Sequence, residues 1–223
     1  MGIAGRTVQA VTGGGAREAR ERAQLERLTF FSDAVFAIAM TLLVVEVRLP
    51  HLHQPTGPDL GQALLGLIPN YVGFLVSFLV LGRFWLAHHE VMGLLKAADK
   101  RLVVVNLLLL LGVAFMPFPT AVISEYVQLR VGICFYTGWL ILLGLLNRQV
   151  IRAIVRNPAL LDEGISPADL RPFLQRSWIS IIIGVGAFAA GMVTWIAALV
   201  VLMIGAPLIA LLVARRAARR ADA

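Results

Sequence analysis

From Trp178 to Ala214 the chain runs without a single Asp, Glu, Lys or Arg. That stretch is about twice the ~20 apolar residues that one bilayer crossing needs, so it has to fold back on itself as two short helices. The expected reversal is near Thr194-Trp195, where Gly191 and an interfacial-type tryptophan interrupt the aliphatic run. Four more apolar segments lie at 28–49, 63–87, 102–122 and 127–146. The expectation is an all-α integral membrane protein with six transmembrane helices per subunit.

Composition excludes the main soluble alternatives. With 59% hydrophobic and 15% charged residues, too little charge is present to clothe a soluble domain of this length. The net charge of +7 does not point to nucleic acid, because Lys and Arg lie between the apolar runs rather than on one exposed face. Cys134 sits inside an apolar run without an intramolecular partner, which rules out disulfides and cysteine metal sites. Residues 1–27 are Gly-rich and then charged, with no apolar core ahead of a small-residue cleavage site, so no cleaved signal peptide is expected. The expected organisation is a tail at 1–27, a membrane domain at 28–214 and a basic C-terminus at 215–223.

The basic residues also set sidedness. Arg6, Arg17, Arg20, Arg22 and Arg27 precede the first span; Lys96, Lys100 and Arg101 follow the second; Arg148, Arg152, Arg156, Arg171 and Arg176 follow the fourth; Arg215, Arg216, Arg219 and Arg220 close the chain. These are seventeen of the twenty Lys and Arg. The positive-inside rule then puts both termini in the cytoplasm, in a multi-pass protein expected in the cell membrane. The outer connection Pro50 to Leu60 reads as an irregular loop, whereas Ser166-Pro167-Ala168-Asp169 reads as a helix start that Pro172 should keep short.

Ionisable groups inside a span are costly and are therefore functional-site candidates. Asp33, Arg83 and Asn106 each lie about five residues from the same membrane face, roughly 7 Å deep, where they can satisfy one another. Ser32, Trp85, His88 and His89 share that level. The set can act as a clasp that fixes helix packing, as a clasp that also poses a pore-lining helix, or as a proton relay. His88 and His89 point about 100° apart on a helix and make poor joint metal ligands, so no metal is expected.

At 100° per residue, Leu42, Val45 and Leu49 fall within about 40° of Ile38, and Thr41 lies about 60° to one side. Asp33 and Leu43 lie about 140° away, so Leu43 is expected to face outward from the stripe. The first span thus carries an aliphatic stripe bordered by one hydroxyl. Such a stripe can meet lipid, another helix, or a symmetry axis around which it would form stacked rings.

The segment Arg27-Leu28-Thr29-Phe30-Phe31-Ser32-Asp33 contains the pattern R-x-x-x-F-S-D, followed by Ala34 through Glu46. With Phe84-Trp85-Leu86-Ala87-His88-His89, and Asn106 ahead of Pro117-Phe118-Pro119-Thr120, it resembles the prokaryotic members of the transmembrane protein 175 family of potassium channels. The resemblance covers the first three spans; the later three agree in number and hydrophobicity. It implies a homotetramer around a central pore lined by the first helix, passing monovalent cations and surrounded by membrane lipid. Ile38, Leu42 and Val45 would be the pore-lining hydrophobic layers and Thr41 the hydroxyl layer. Arg27, Phe31, Ser32, Asp33, Trp85, His88 and Asn106 would belong to the signature network between helices, with Arg83 and His89 as further candidates.

A pore of aliphatic rings offers no ligands for a dehydrated ion, so a narrow ring dewets and blocks until it widens. The implied function is a modestly selective, leak-like potassium channel that needs no cofactor beyond permeant K+. A coupled transporter would show broken helices or matched halves around a midplane site. An enzyme would need a nucleophile with a base or a metal cluster, and these residues assemble neither.

Overall fold

The structure, a computed structural model, describes residues 4–53 and 56–205, with side chains from Gly15 onward. Helices α1 (Ala4–Leu42), α2 (Gly57–Gly66), α3 (Ile68–Met92), α4 (Lys100–Ala114), α5 (Pro117–Glu125), α6 (Arg130–Arg156) and α7 (Arg171–Gly191) are followed by a shorter apolar helix α8 (Trp195–Gly205). Five stretches are long and apolar enough to cross a membrane: Gly15–Glu46, Ile68–Met92, Lys100–Glu125, Arg130–Arg156 and Arg171–Gly191. Of the sixth expected span only α8 falls among the described residues. Residues 206–214 and the basic C-terminus lie outside them.

Helix α1 does not stop at the expected tail boundary. It runs 39 residues, about 58 Å, so that part of the charged N-terminal segment continues the first span as one rod. An Arg17–Glu21 pair at 2.8 Å supports its exposed part. At the other end, Thr41 Oγ1 donates to the Ile38 carbonyl at 2.8 Å, and the backbone tightens into a 3₁₀ turn over Leu43–Glu46. Val47 leaves the helix at φ −84° and ψ 86°. Leu49, placed on the stripe by helical counting, is therefore beyond the helix.

The outer connection is less irregular than its prolines suggest. Thr56 N–H donates to Asp59 Oδ2 at 3.0 Å, which caps α2 with Pro58 in its first turn. The opposite error occurs at Ser166: its amide and hydroxyl both donate to Asp169 Oδ2, at 2.8 and 2.9 Å, but they close a single turn. Pro172 then sits in the first turn of the long α7, where its missing N–H is harmless.

Pro117 divides the third span. Lacking an N–H, it cannot bond the Val113 carbonyl, which takes the Met116 amide instead at 3.1 Å. That shift removes the normal helical partner of the Gly112 carbonyl, and the Trp139 indole of α6 fills the place at 3.0 Å. The kink is thus tied to its neighbour by the hydrogen bond it releases. α6 in turn packs closely on α7: a Cβ added to Gly144 would come 2.9 Å from Ile181, and one on Gly184 2.8 Å from Ile141. A larger residue at either position would force the facing isoleucine side chain to shift.

The α7–α8 reversal is where the sequence puts it. Gly191 faces Ala198, Gly186 faces Val201 and Gly205 faces Ile183, an antiparallel register centred at Thr194. Thr194 Oγ1 accepts from the Ala197 amide at 3.1 Å and caps α8. On the basic side, Lys96 N–H to Leu160 O (2.9 Å) and Asp162 N–H to Leu94 O (3.0 Å) zip two connections together. Asp99 joins them, taking the Leu102 amide at 2.7 Å and the Asn157 amide group at 2.9 Å.

Candidate functional site

Helix α1 has two faces with opposite fates. Ser32, Phe36, Ala39 and Leu43 recur at helical spacing and are sealed against the subunit's own core, with Phe36 and Leu43 both at 0% exposure. Across the helix, Ile38 is 58% exposed, Leu42 45% and Val45 55%, and Thr41 is exposed beside them. The 3₁₀ turn keeps Val45 over Leu42, because residues three apart eclipse at three per turn. Leu43, expected to face outward, is instead a core residue.

Thr41 also shows which part of its hydroxyl is available. Its proton is directed to the Ile38 carbonyl, so the oxygen lone pairs remain for a partner on the exposed face. Beyond Leu42, a crevice of about 460 Å³ is lined by Glu46, Arg48, Phe115, Pro117 and Glu125. Glu46 lies 3.9 Å from Arg48.

Behind the stripe, α1, α3 and α4 share a chain of hydrogen bonds. Ser32 Oγ donates to the Leu28 carbonyl at 2.8 Å and accepts from Asn106 Nδ2 at 2.9 Å. Asn106 Oδ1 lies 2.7 Å from His88 Nε2; since the amide oxygen only accepts, His88 donates from Nε2. Its Nδ1 is buried with no hydrogen-bond partner, and its ring packs 5.6 Å from that of Phe36. Trp85 Nε1 donates to Asp33 Oδ1 at 2.8 Å.

The structure therefore brings together Ser32, Asp33, Trp85, His88 and Asn106. It does not bring in Arg83, which is exposed and forms no ion pair with Asp33: the partner of the acid is an indole. His89 is exposed but stacks on Trp85 at 5.5 Å between ring centroids. Arg27 and Phe31 are exposed and outside the hydrogen-bonded set.

Sequence reading missed a second polar cluster. Ser77 Oγ lies 2.9 Å from Tyr136 Oη and receives Thr120 Oγ1 at 2.8 Å, and all three residues are buried. They join α3, α5 and α6. The available signal was three isolated hydroxyls in three apolar runs, but matching their depths requires the helix ends that Pro117 displaces. Among the described residues no group of three His, Cys, Asp or Glu could hold a metal.

Residues 27–117 match the family model described as the endosomal/lysosomal potassium channel TMEM175. A potassium channel of Chamaesiphon minutus is 41% identical over 124 residues, covering 54% of this chain and 61% of that relative. One of Streptomyces collinus is 43% identical over 102 residues, covering 46% and 48%. The chain thus spans about half to three-fifths of the length of these relatives. Among solved structures, a lysosomal potassium-selective channel TMEM175 homolog from Chamaesiphon minutus matches with a TM-score of 0.74 at 28% identity, over 85% of this chain and 98% of that one.

Proposed function

The chain belongs to the TMEM175 family, and from that premise we propose that it is the subunit of a potassium-permeable cation channel in which four copies surround a conduit lined by α1. As a member of a channel family it is not an enzyme. The observation that carries the reading is the exposed stripe of Ile38, Leu42 and Val45 on a helix whose other side is fully used. A subunit that packs one face of α1 completely and leaves an aliphatic line on the other has a surface suited to a symmetry axis.

On this reading the stacked rings form the barrier. They expel water when narrow and pass ions when α1 moves outward, with the Thr41 oxygen as the nearby polar ligand. Selectivity for K+ over Na+ is then modest. The clasp of Ser32, His88 and Asn106 sets the rotation of α1, and Trp85 with Asp33 fixes it at the same level. With six spans per subunit, both termini lie on the basic, cytoplasmic side of the cell membrane.

The test is ion flux from purified protein in liposomes under opposed K+ and Na+ gradients. Flux that favours K+ severalfold supports the proposal. A protein that is inert to both ions under every gradient overturns it, and flux that saturates and requires a co-substrate favours a transporter instead.

A further inference from the structure

A basic seam where the end of α6 meets the start of α7 has no role in the conduit or the clasp. Arg148, Arg152 and Arg156 recur every four residues and form one stripe on α6. Arg148 is committed to α7: Nη1 donates to the Leu174 carbonyl at 2.6 Å and Ser177 Oγ at 2.8 Å, and the guanidinium lies 4.4 Å from the Trp178 ring centroid. Its Nε is buried without an acceptor. Arg171, seven residues before Trp178, returns to the same side of α7 and is exposed.

Among the described residues none of these four arginines forms an ion pair. The C-terminal end of α6 suits cations, but Arg171 opens α7, where a helix favours negative charge. An anion lodged between the two helix ends satisfies both. Toward the membrane centre the seam becomes apolar, with Leu145 one turn before Arg148 and Ile182 and Val185 beyond Trp178, all exposed. The Gly144 and Gly184 contacts hold the two strips in register. Trp178 stands where the charged part meets the apolar part, the position of an indole at a membrane interface.

We infer that the α6–α7 seam binds an anionic phospholipid, its phosphate held by Arg152, Arg156 and Arg171 beside the α7-bound Arg148 and its chains laid along Leu145, Ile182 and Val185. Guanidinium groups suit this head because they bind phosphate oxygens in pairs. Free phosphate shares the head chemistry but has nothing to place on the apolar strip.

The test is native mass spectrometry of the full chain in detergent with equal phosphatidylglycerol and phosphatidylcholine. Wild type should retain phosphatidylglycerol over phosphatidylcholine by about tenfold or more. The double variant Arg152→Gln, Arg156→Gln should fall close to parity with an unchanged melting temperature in lipid-free detergent, since neither side chain makes a hydrogen bond among the described residues. Arg152→Lys with Arg156→Lys should keep most of the preference, and soluble glycerophosphoglycerol should not displace the lipid. Absence of preference in wild type, an unchanged preference in the Gln variant, loss in the Lys variant equal to that in the Gln variant, or displacement by the soluble headgroup would each overturn the inference.

Discussion

A single neighbour separates two accounts of Asp33. If its partner were Arg83, removing the acid would strand a buried cation; the structure gives it the Trp85 indole instead and leaves Arg83 exposed. Asp33→Ala is therefore expected to cost about 1–3 kcal/mol, the scale of one orphaned buried donor. Trp85→Phe should cost no more in the Asp33→Ala background than the indole contact alone, and Arg83→Gln should leave the melting temperature unchanged. Melting curves of the three variants decide this, and an Arg83→Gln loss as large as that of Asp33→Ala would exclude the indole pairing. Asn106→Ala should be worse than either, because it strands His88 Nε2 and removes the amide group that ties α4 to Ser32, leaving a cavity at a fully buried position. Asp99 supplies a pH prediction outside the membrane. The Leu102 amide, aided by Asn157, holds its carboxyl below the usual range against an opposing effect of burial. A folded pKa below the unfolded value of about 3.9 means that the stabilisation is present above that pH and is lost as pH falls through the folded value. Asp99→Ala should thus cost about 0.5–2 kcal/mol near neutrality, and the difference from wild type should vanish in acid melts. Asp99→Asn keeps a capping oxygen and should show little of this pH dependence.

On the scale of one helix, α1 shows what periodicity reveals and what it hides. Counting by 100° found the stripe, and the exposed positions Ile38, Leu42 and Val45 fall on it. The same counting made Leu43 an outward position, whereas it is fully buried, because angle states which residues share a face and not what each face meets. Leu43 is therefore unsuitable as a control in a gate experiment. Ile38→Asn and Leu42→Asn should wet the ring, raise ion flux and reduce discrimination. Leu43→Asn should destabilise the subunit by about 2–5 kcal/mol, the range for gutting a core position. Leu111, on α4 and 67% exposed, is the better comparison. Its Asn variant should fold and leave flux at the wild-type level, and equal flux from the Leu42 and Leu111 variants would remove the gate assignment. Pro117 illustrates a second limit. Sequence reading took 102–122 as one uninterrupted span, and the rescue of the Gly112 carbonyl by Trp139 depends on α6, which no local pattern names. Pro117→Ala should let Met116 bond Gly112 again and free the indole, which a change in tryptophan emission relative to wild type would report.

In the molecule as a whole, the positions of the apolar runs and of the α7–α8 turn were legible because hydrophobic length and charge spacing are local quantities. The second hydroxyl cluster was not, since it joins residues from three helices whose relative depth is set by packing. Nor was the reach of α1, because a charged tail and a continued helix look alike until the backbone is traced. If the exposed stripe meets copies of itself, the purified protein should elute as a tetramer, and a stable monomer that still conducts would defeat the central conduit. The hairpin of α7 and α8 has a different consequence, in the making of the protein. Its turn, Met192 to Thr194, has no ionisable side chain, and neither does anything from Trp178 to Ala214. On the six-span proposal, carrying that turn through the bilayer during synthesis transports no charge, while the arginines on both flanks act as a brake on the near side. The two helices can therefore enter as one loop, each shielding the other before the rest of the bundle closes around them.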